Sequence, residues 1–204
     1  VIDPEGVFGP HYDVVLMDPP WMMWGDPNKN AAAGKFYDLM SEEDLAALPV
    51  RSLLRDPKHG AFFIWATCPR LDLALRTIAA WKLNYRGVAF NWVKTRKDGK
   101  VIGAQGIPPT GTKPTSELCL LATVQKVGRP FKLLDAGVPQ VVLAPRGGHS
   151  EKPPEVRDRI VRLYGDRPRI ELFARARVSG WNAWGQEAPP PETFILDNVP
   201  GSVT

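Results

Sequence analysis

The stretch Met17-Asp18-Pro19-Pro20-Trp21 places an acid, two prolines and an indole directly behind the apolar run Tyr12-Asp13-Val14-Val15-Leu16. Two prolines remove two backbone donors and fix two φ angles, so a strand must stop there with its last carbonyls lacking ladder partners. An ionised Asp18 only accepts hydrogen bonds, and a carbonyl released from a ladder is a second acceptor. This set suits a planar base that carries an exocyclic amine. The amine lone pair is conjugated into the ring, and the nitrogen becomes nucleophilic only when acceptors hold both hydrogens and let it pyramidalise. Asp18, Pro19 and Pro20 are the candidate catalytic acceptors, and Trp21 is both a candidate catalytic residue and a surface on which the base would stack. An aspartate near its ordinary pKa of about 3.9 is adequate for that task, because most of the rate gain would come from alignment with the electrophile. A methyl sulfonium would fit beside Asp18. The bland reading is a turn with a Trp anchor, but the position directly after an apolar strand favours chemistry.

Such a motif needs elements to hold it. Short runs rich in β-branched and aromatic residues, at 12–17, 61–66, 85–94, 117–123, 141–144 and 169–174, read as strands. Between the first two, Ser41-Glu42-Glu43-Asp44 has the oxygen cap and acidic first turn of a helix that ends or bends near Pro49. Pro69 opens a second helix, with Leu71, Leu75, Ile78 and Trp81 assigned to one face. Pro153-Pro154 precedes a third, 155–164, whose apolar side is Val156, Ile160, Val161 and Leu163. Strands alternating with helices predict an α/β fold, its sheet mostly parallel and covered by helices on both faces. In such a sheet ligands gather outside the carboxyl ends of the strands, where Asp18 to Trp21 fall.

With 204 residues, 44% of them apolar, the chain suits a single core. We expect one domain over 1–188 and an extended Pro-rich C-terminal tail over 189–204, introduced by Ala188-Pro189-Pro190-Pro191. No run reaches the roughly 18 apolar residues of a membrane span, and the expectation is a cytoplasmic protein, nucleoid-associated in a bacterial host. Cys68 and Cys119 stand in apolar stretches and read as buried thiols rather than a metal or disulfide framework. Of three histidines, His11 and His59 read as surface residues, and no metal is expected. The net charge of +4 favours an anionic partner. Lys94, Arg96, Lys97 and Lys100 cluster at the head of a long, apparently structureless connection, 95–116, and read as phosphate contacts or as a solvated loop.

The ordered set Asp18-Pro19-Pro20-Trp21, Phe36-Tyr37-Asp38-Leu39-Met40-Ser41, Leu48-Pro49-Val50, Phe63-Ile64-Trp65, Asn91-Trp92-Val93-Lys94, Glu117-Leu118-Cys119-Leu120-Leu121, His149-Ser150-Glu151-Lys152-Pro153 and Ile170-Glu171-Leu172-Phe173-Ala174-Arg175 resembles the adenine amino-methyltransferases. That family includes the catalytic subunit of the eukaryotic messenger-RNA N6-adenosine methyltransferase. The resemblance covers roughly residues 12–187. It implies a Rossmann-like S-adenosylmethionine-dependent methyltransferase fold in which the catalytic strand precedes the cofactor-binding segment, a permuted order. It further implies that Asp18, Pro19 and Pro20 receive the amine, that Trp21 stacks on the base, and that Asp18 also borders the cofactor. Lys152 would face the cofactor carboxylate, Glu171 and Arg175 would lie near its ribose, and Gln186 would help close the site. Asn182 and Arg177 are departures from the usual pattern, and Arg177 receives no role. Tyr37 and the loop 26–34 would cover the substrate, with Lys94, Arg96 and Lys97 facing the polymer.

The expected activity is S-adenosylmethionine-dependent methylation of the N6 amine of adenine in nucleic acid. DNA is preferred because the chain is a bare domain without the RNA-binding modules of the eukaryotic relatives, with RNA as the alternative. N4-cytosine methylation uses the same amine logic, and a non-catalytic nucleic-acid-binding subunit of the same fold is the reading from another class. Retention of all four residues from Asp18 to Trp21 argues for the enzyme. A homodimer or heterodimer is expected on family habit alone.

Overall fold

In the computed structural model, residues 9–21, 40–103, 110–148, 151–185 and 187–188 are described. The expected loop 26–34, Tyr37, the His149-Ser150 pair, Gln186 and the expected tail 189–204 lie outside them.

Among the described residues seven strands form one sheet: β1 (Val14–Met17), β2 (Ala61–Thr67), β3 (Asn84–Thr95), β4 (Ser116–Thr123), β5 (Val141–Pro145), β6 (Arg169–Leu172) and β7 (Asn182–Trp184). Their order is β5-β3-β4-β2-β1-β6-β7. Only β4 runs against the others, pairing antiparallel with both β2 and β3. The remaining neighbours, β1 with β2 and β6, β3 with β5, and β6 with β7, are parallel. The six strands expected from the sequence are present and β7 is an addition. Three residues are too few to show an alternation, and β7 exists through its register with β6, Leu172 opposite Trp184.

Three α-helices among the described residues cover the sheet: α1 (Glu42–Ala46), α2 (Leu71–Ala80) and α3 (Glu155–Tyr164). Ser41 caps α1 as expected, its hydroxyl accepting from the Asp44 N–H at 3.0 Å. The helix ends at Ala46, before Pro49. Period-two alternation sorts the strand side chains onto two faces. Val15, Met17, Phe62, Ile64, Leu120 and Ile170 pack with Leu45 of α1 and with Leu73, Ala74 and Ile78 of α2. Val14, Leu16, Phe63, Trp65, Phe90, Trp92 and Val142 pack with Val156, Ile160 and Tyr164 of α3. The sheet is thus covered from both sides. Leu75 corrects our assignment of the α2 face: it is 36% exposed, because Leu73, Ala74, Thr77 and Ile78 occupy the buried stripe. The α3 stripe likewise closes on Tyr164, with Val161 and Leu163 only half-buried.

The end of β6 is built by a close backbone crossing. Ala174 N–H donates to the Trp184 carbonyl at 2.9 Å, and a Cβ on Gly185 would stand 2.2 Å from the Ala174 oxygen and 2.6 Å from its nitrogen. Backbone cannot yield as a side chain does. Gly185→Ala should therefore cost about 2 kcal/mol, the range of overpacking, read as a lower thermal unfolding midpoint.

Candidate active site

Asp18, Lys94, Arg96, Lys97, Lys152, Glu171 and Arg175, together with Glu117, are carried at one end of the sheet. The carboxyl ends of β1, β3 and β6 lead to Asp18, Arg96 and Arg175, and antiparallel β4 begins there with Ser116 and Glu117. Alternation places Glu117, Lys94 and Glu171 on the α3 side, in phase with Cys119, Trp92 and Leu16. Lys152 reaches the same edge from the turn before α3.

Pro19, Pro20 and Trp21 are buried, as the end of an interior strand requires. The two proline carbonyls have backbone partners, which corrects the expectation that they lack any. Pro19 O accepts from Trp21 N at 2.8 Å and Pro20 O from Met40 N at 3.4 Å. Met40 forms a bridge with Trp21 that the sequence pattern could not show. Each carbonyl keeps a second lone pair, so the acceptor role survives. Trp21 is only 6% exposed; its ring packs in the cluster shared with α1 and α2, and its indole N–H donates to the Trp65 carbonyl at 2.9 Å. In this arrangement the indole fixes the proline turn against β2.

Asp18 is the exposed end of a chain of opposite charges. Lys152 Nζ donates to Asp18 Oδ2 at 2.5 Å and lies 3.3 Å from Glu117 Oε2. Lys94 Nζ donates to Glu117 Oε1 at 2.5 Å. The side chains of Lys152, Glu117 and Lys94 are 9%, 13% and 14% exposed, against 21% for Asp18. Burial lifts the Asp18 carboxyl above the ordinary range, Lys152 opposes the lift, and Glu117 adds to it. Burial acts on Glu117 too, but there the two lysines prevail and its carboxyl sits below the usual range. Lys152 is desolvated yet held firmly protonated by both carboxylates. Desolvating four charges is expensive and ion pairs only roughly repay the cost, so stability alone does not explain the chain. Shifted groups of this kind mark functional sites.

The other assigned residues are arranged around this chain. Glu171 is buried and takes a two-pronged contact from Arg157 of α3, at 2.7 and 2.9 Å. Arg175 lies close enough to Asp18 to attract its charge and pairs with Glu187 at 3.8 Å. Arg96 and Lys97 are exposed. They occupy a tight hairpin, with Arg96 N–H donating to Lys100 O at 2.8 Å and Thr95 bridged to Val101. The head of the connection is therefore ordered, and 104–109 lie outside the described residues. Glu117 was part of a matched segment but carried no assigned role; its signal was an acid opening an otherwise apolar strand. Cys119 is buried as expected, whereas Cys68 is exposed because it stands one residue past the end of β2. Among the described residues no His, Cys, Asp and Glu group could hold a metal ion.

Residues 12–187 match the MT-A70 family. The chain belongs to that family. It is 28% identical to the Type II methyltransferase M.MunI of Mycoplasma sp, a match covering 87% of this chain and 78% of that protein. It is 26% identical to the N(6)-adenine-specific methyltransferase METTL4 of Homo sapiens, covering 86% of this chain and 37% of that one. Identity to the N6-methyladenosine RNA methyltransferase MTA1 of Pyricularia oryzae is 28%, over 87% and 47% of the two chains. The chain thus spans most of the first relative and less than half of the other two. The MT-A70 assignment accounts for the order of the motifs, in which the Asp18 strand comes first.

Proposed function

We propose that this MT-A70 chain transfers a methyl group from S-adenosylmethionine to the N6 amine of adenine in DNA. The observation that carries the reading is Asp18 at the carboxyl end of β1, its Oδ2 held by Lys152 beside a buried Pro-Pro-Trp turn.

The residues fit the cofactor by their chemistry. Its amino-acid end is a zwitterion and its ribose a diol, and the edge offers the cations Lys152 and Arg175 with the acceptors Asp18 and Glu171. Bound there, the cofactor supplies an electrophilic methyl group on sulfur. Lys152 and Arg175 would hold its carboxylate and neighbouring oxygens, and Glu171, oriented by Arg157, would accept from a ribose hydroxyl. Gln186 remains assigned to this site from the family pattern.

The chain's own residues prepare the amine. With Lys152 on Oδ2, Asp18 Oδ1 can accept one amine hydrogen while a proline carbonyl accepts the other, and the nitrogen lone pair leaves conjugation with the ring. Transfer would form the nitrogen–carbon bond as the methyl–sulfur bond breaks, with that electron pair staying on a neutral thioether, and would leave the nitrogen cationic. The nearby carboxylate stabilises that charge until the surplus proton departs to water. Trp21, its ring buried and its N–H held by Trp65, keeps the turn rigid in place of stacking on the base; Tyr37 remains assigned to the substrate from the family pattern, and Arg96 and Lys97 would meet phosphates. DNA is favoured over RNA because the match extends along most of a type II methyltransferase.

Purified protein given labelled methyl donor and either duplex DNA or RNA should methylate DNA faster, with N6-methyladenine as the product by mass spectrometry. Faster labelling of RNA would reverse the polymer assignment, and N4-methylcytosine would reverse the base.

A further inference from the structure

We infer that Glu117 and Lys94 are positioning residues of this site: the chain Lys94–Glu117–Lys152–Asp18 sets the charge and orientation of the catalytic carboxylate, and Lys94 serves that chain instead of a nucleic-acid phosphate. The inference rests on the role of Asp18 proposed above.

The topology explains why four residues are needed. β2 lies between β1 and β4, so the ends carrying Asp18 and Glu117 are two strand spacings apart, roughly 10 Å. Across that backbone spacing one ammonium serves both carboxylates, 2.5 Å from Asp18 Oδ2 and 3.3 Å from Glu117 Oε2. Lys152 bridges it above Trp65 of β2, its ammonium 5.7 Å from the ring centroid. Lys94 of β3 closes the other side of Glu117, its ammonium 5.2 Å from the centroid of Trp92. Both cations thus rest on indole faces, which suits a desolvated ammonium. Four charges of alternating sign sum to zero, so the edge can be dry without a net buried charge.

Each member has an oriented task. Lys152 occupies Oδ2 of Asp18 and leaves the other oxygen for the amine. Glu117 receives the same ammonium from the opposite side and keeps it from turning fully onto Asp18. Lys94 neutralises Glu117, and without it the Glu117 field would fall on Asp18 and on Lys152 alone. The groups that face Asp18 are Lys152 before α3, Glu117 and Cys119 of β4, and Arg175 after β6. Lys94 is absent from that set and acts one step removed. Phosphate contact then falls to Arg96, Lys97 and Lys100, all exposed on the hairpin that follows.

A chain of alternating charge has a fingerprint that loss of structure does not share. Glu117→Gln removes a like charge and releases Lys152 to Asp18, so the Asp18 titration midpoint should fall. Lys94→Met strengthens the Glu117 field at Asp18, so the midpoint should rise. Each shift should be on the order of one pH unit, and Lys94→Arg should restore the wild-type value. The midpoint is read by carbon NMR on protein labelled at aspartate carboxyls, with Asp18→Asn assigning the signal. Neither nucleic acid nor methyl donor is present, so the result does not depend on which base or polymer is modified. Shifts in the same direction, or no shift in either variant, would overturn the inference. Wild-type protein supplies a second reading should a variant not fold: the Asp18 signal should show a smaller inflection at lower pH, where Glu117 protonates. A single inflection would refute the coupling. In duplex-DNA binding against salt, Lys94→Met should keep the wild-type slope, whereas Arg96→Ala and Lys97→Ala should each reduce it by about one. An equal reduction by Lys94→Met would return that residue to the phosphates.

Discussion

Asp18→Asn is expected to lower methyl transfer to adenine by about 10³-fold or more, at the upper end of what one positioned group contributes. The substitution is nearly isosteric, so the proline turn and the packing of Trp21 remain. What changes is the hydrogen-bonding character: an amide offers one acceptor and an NH₂ donor where the carboxylate offers acceptors only. If the amide oxygen takes the place of Oδ2 and keeps the Lys152 contact, the donor faces the amine hydrogens and repels them. If the amide turns over, it presents its donor to Lys152 and breaks the ion chain. Either orientation loses the reaction. Folding should be unharmed or improved, because burial makes the Asp18 charge costly in the folded protein. Single-turnover rates and thermal unfolding of the same preparation check both halves of the expectation. A variant that retains wild-type rates would remove Asp18 from the chemistry.

Lys152→Met is expected to lower the rate at neutral pH by about 10²-fold, with part of the loss recovered as pH rises. The sign follows from the groups around Asp18. Burial already lifts its carboxyl, and Lys152 is the largest influence working against that lift. Without the ammonium the midpoint climbs further, a larger fraction of Asp18 is protonated at neutral pH, and a protonated acid cannot accept both lone-pair contacts. Activity requires the ionised form, so the acid limb of the rate profile moves to higher pH. Glu117 loses one of its two cations at the same time and adds to the upward shift. Methionine keeps the length and the apolar stem that crosses Trp65, which separates lost charge from lost packing. Rates measured from about pH 5.5 to 9 distinguish the cases, since a merely misfolded variant shows a uniform loss with an unmoved limb. The amino-acid end of the cofactor also meets Lys152 in our reading, so the Michaelis constant for S-adenosylmethionine should rise alongside.

The two substitutions bear on why a buried ion chain exists at all. A hydrophobic set of the same volume would fold at least as well. In the role proposed for Asp18, an acceptor of amine hydrogens must stay charged in a site that excludes water, and each desolvated charge then needs a partner. Lys152 answers Asp18, Glu117 answers the surplus on Lys152, and Lys94 answers Glu117.

The features legible along the chain are local in origin. The short apolar runs at 61–66 and 117–123, the Ser41 cap and the proline pair at 19–20 each express a preference written within a few neighbouring residues, and the structure has strands, a capped helix and a strand end at those places. The ordered motifs also sufficed to place the chain among the MT-A70 proteins, and Asp18 stood out from its neighbours alone. Tertiary structure decided whatever depends on distant pairing. β7 is a strand only because β6 lies beside it, and Met40 meets Trp21 although the two are distant along the chain. Lys94 looked like a phosphate ligand because its neighbours along the chain are Arg96 and Lys97; the fold turns it instead onto Glu117, 23 residues away. Lys152 finds Asp18 across 134 residues. Charge carries no period and no local signature of its partner, so which cation meets which carboxylate is settled only when the strand ends come together at one edge.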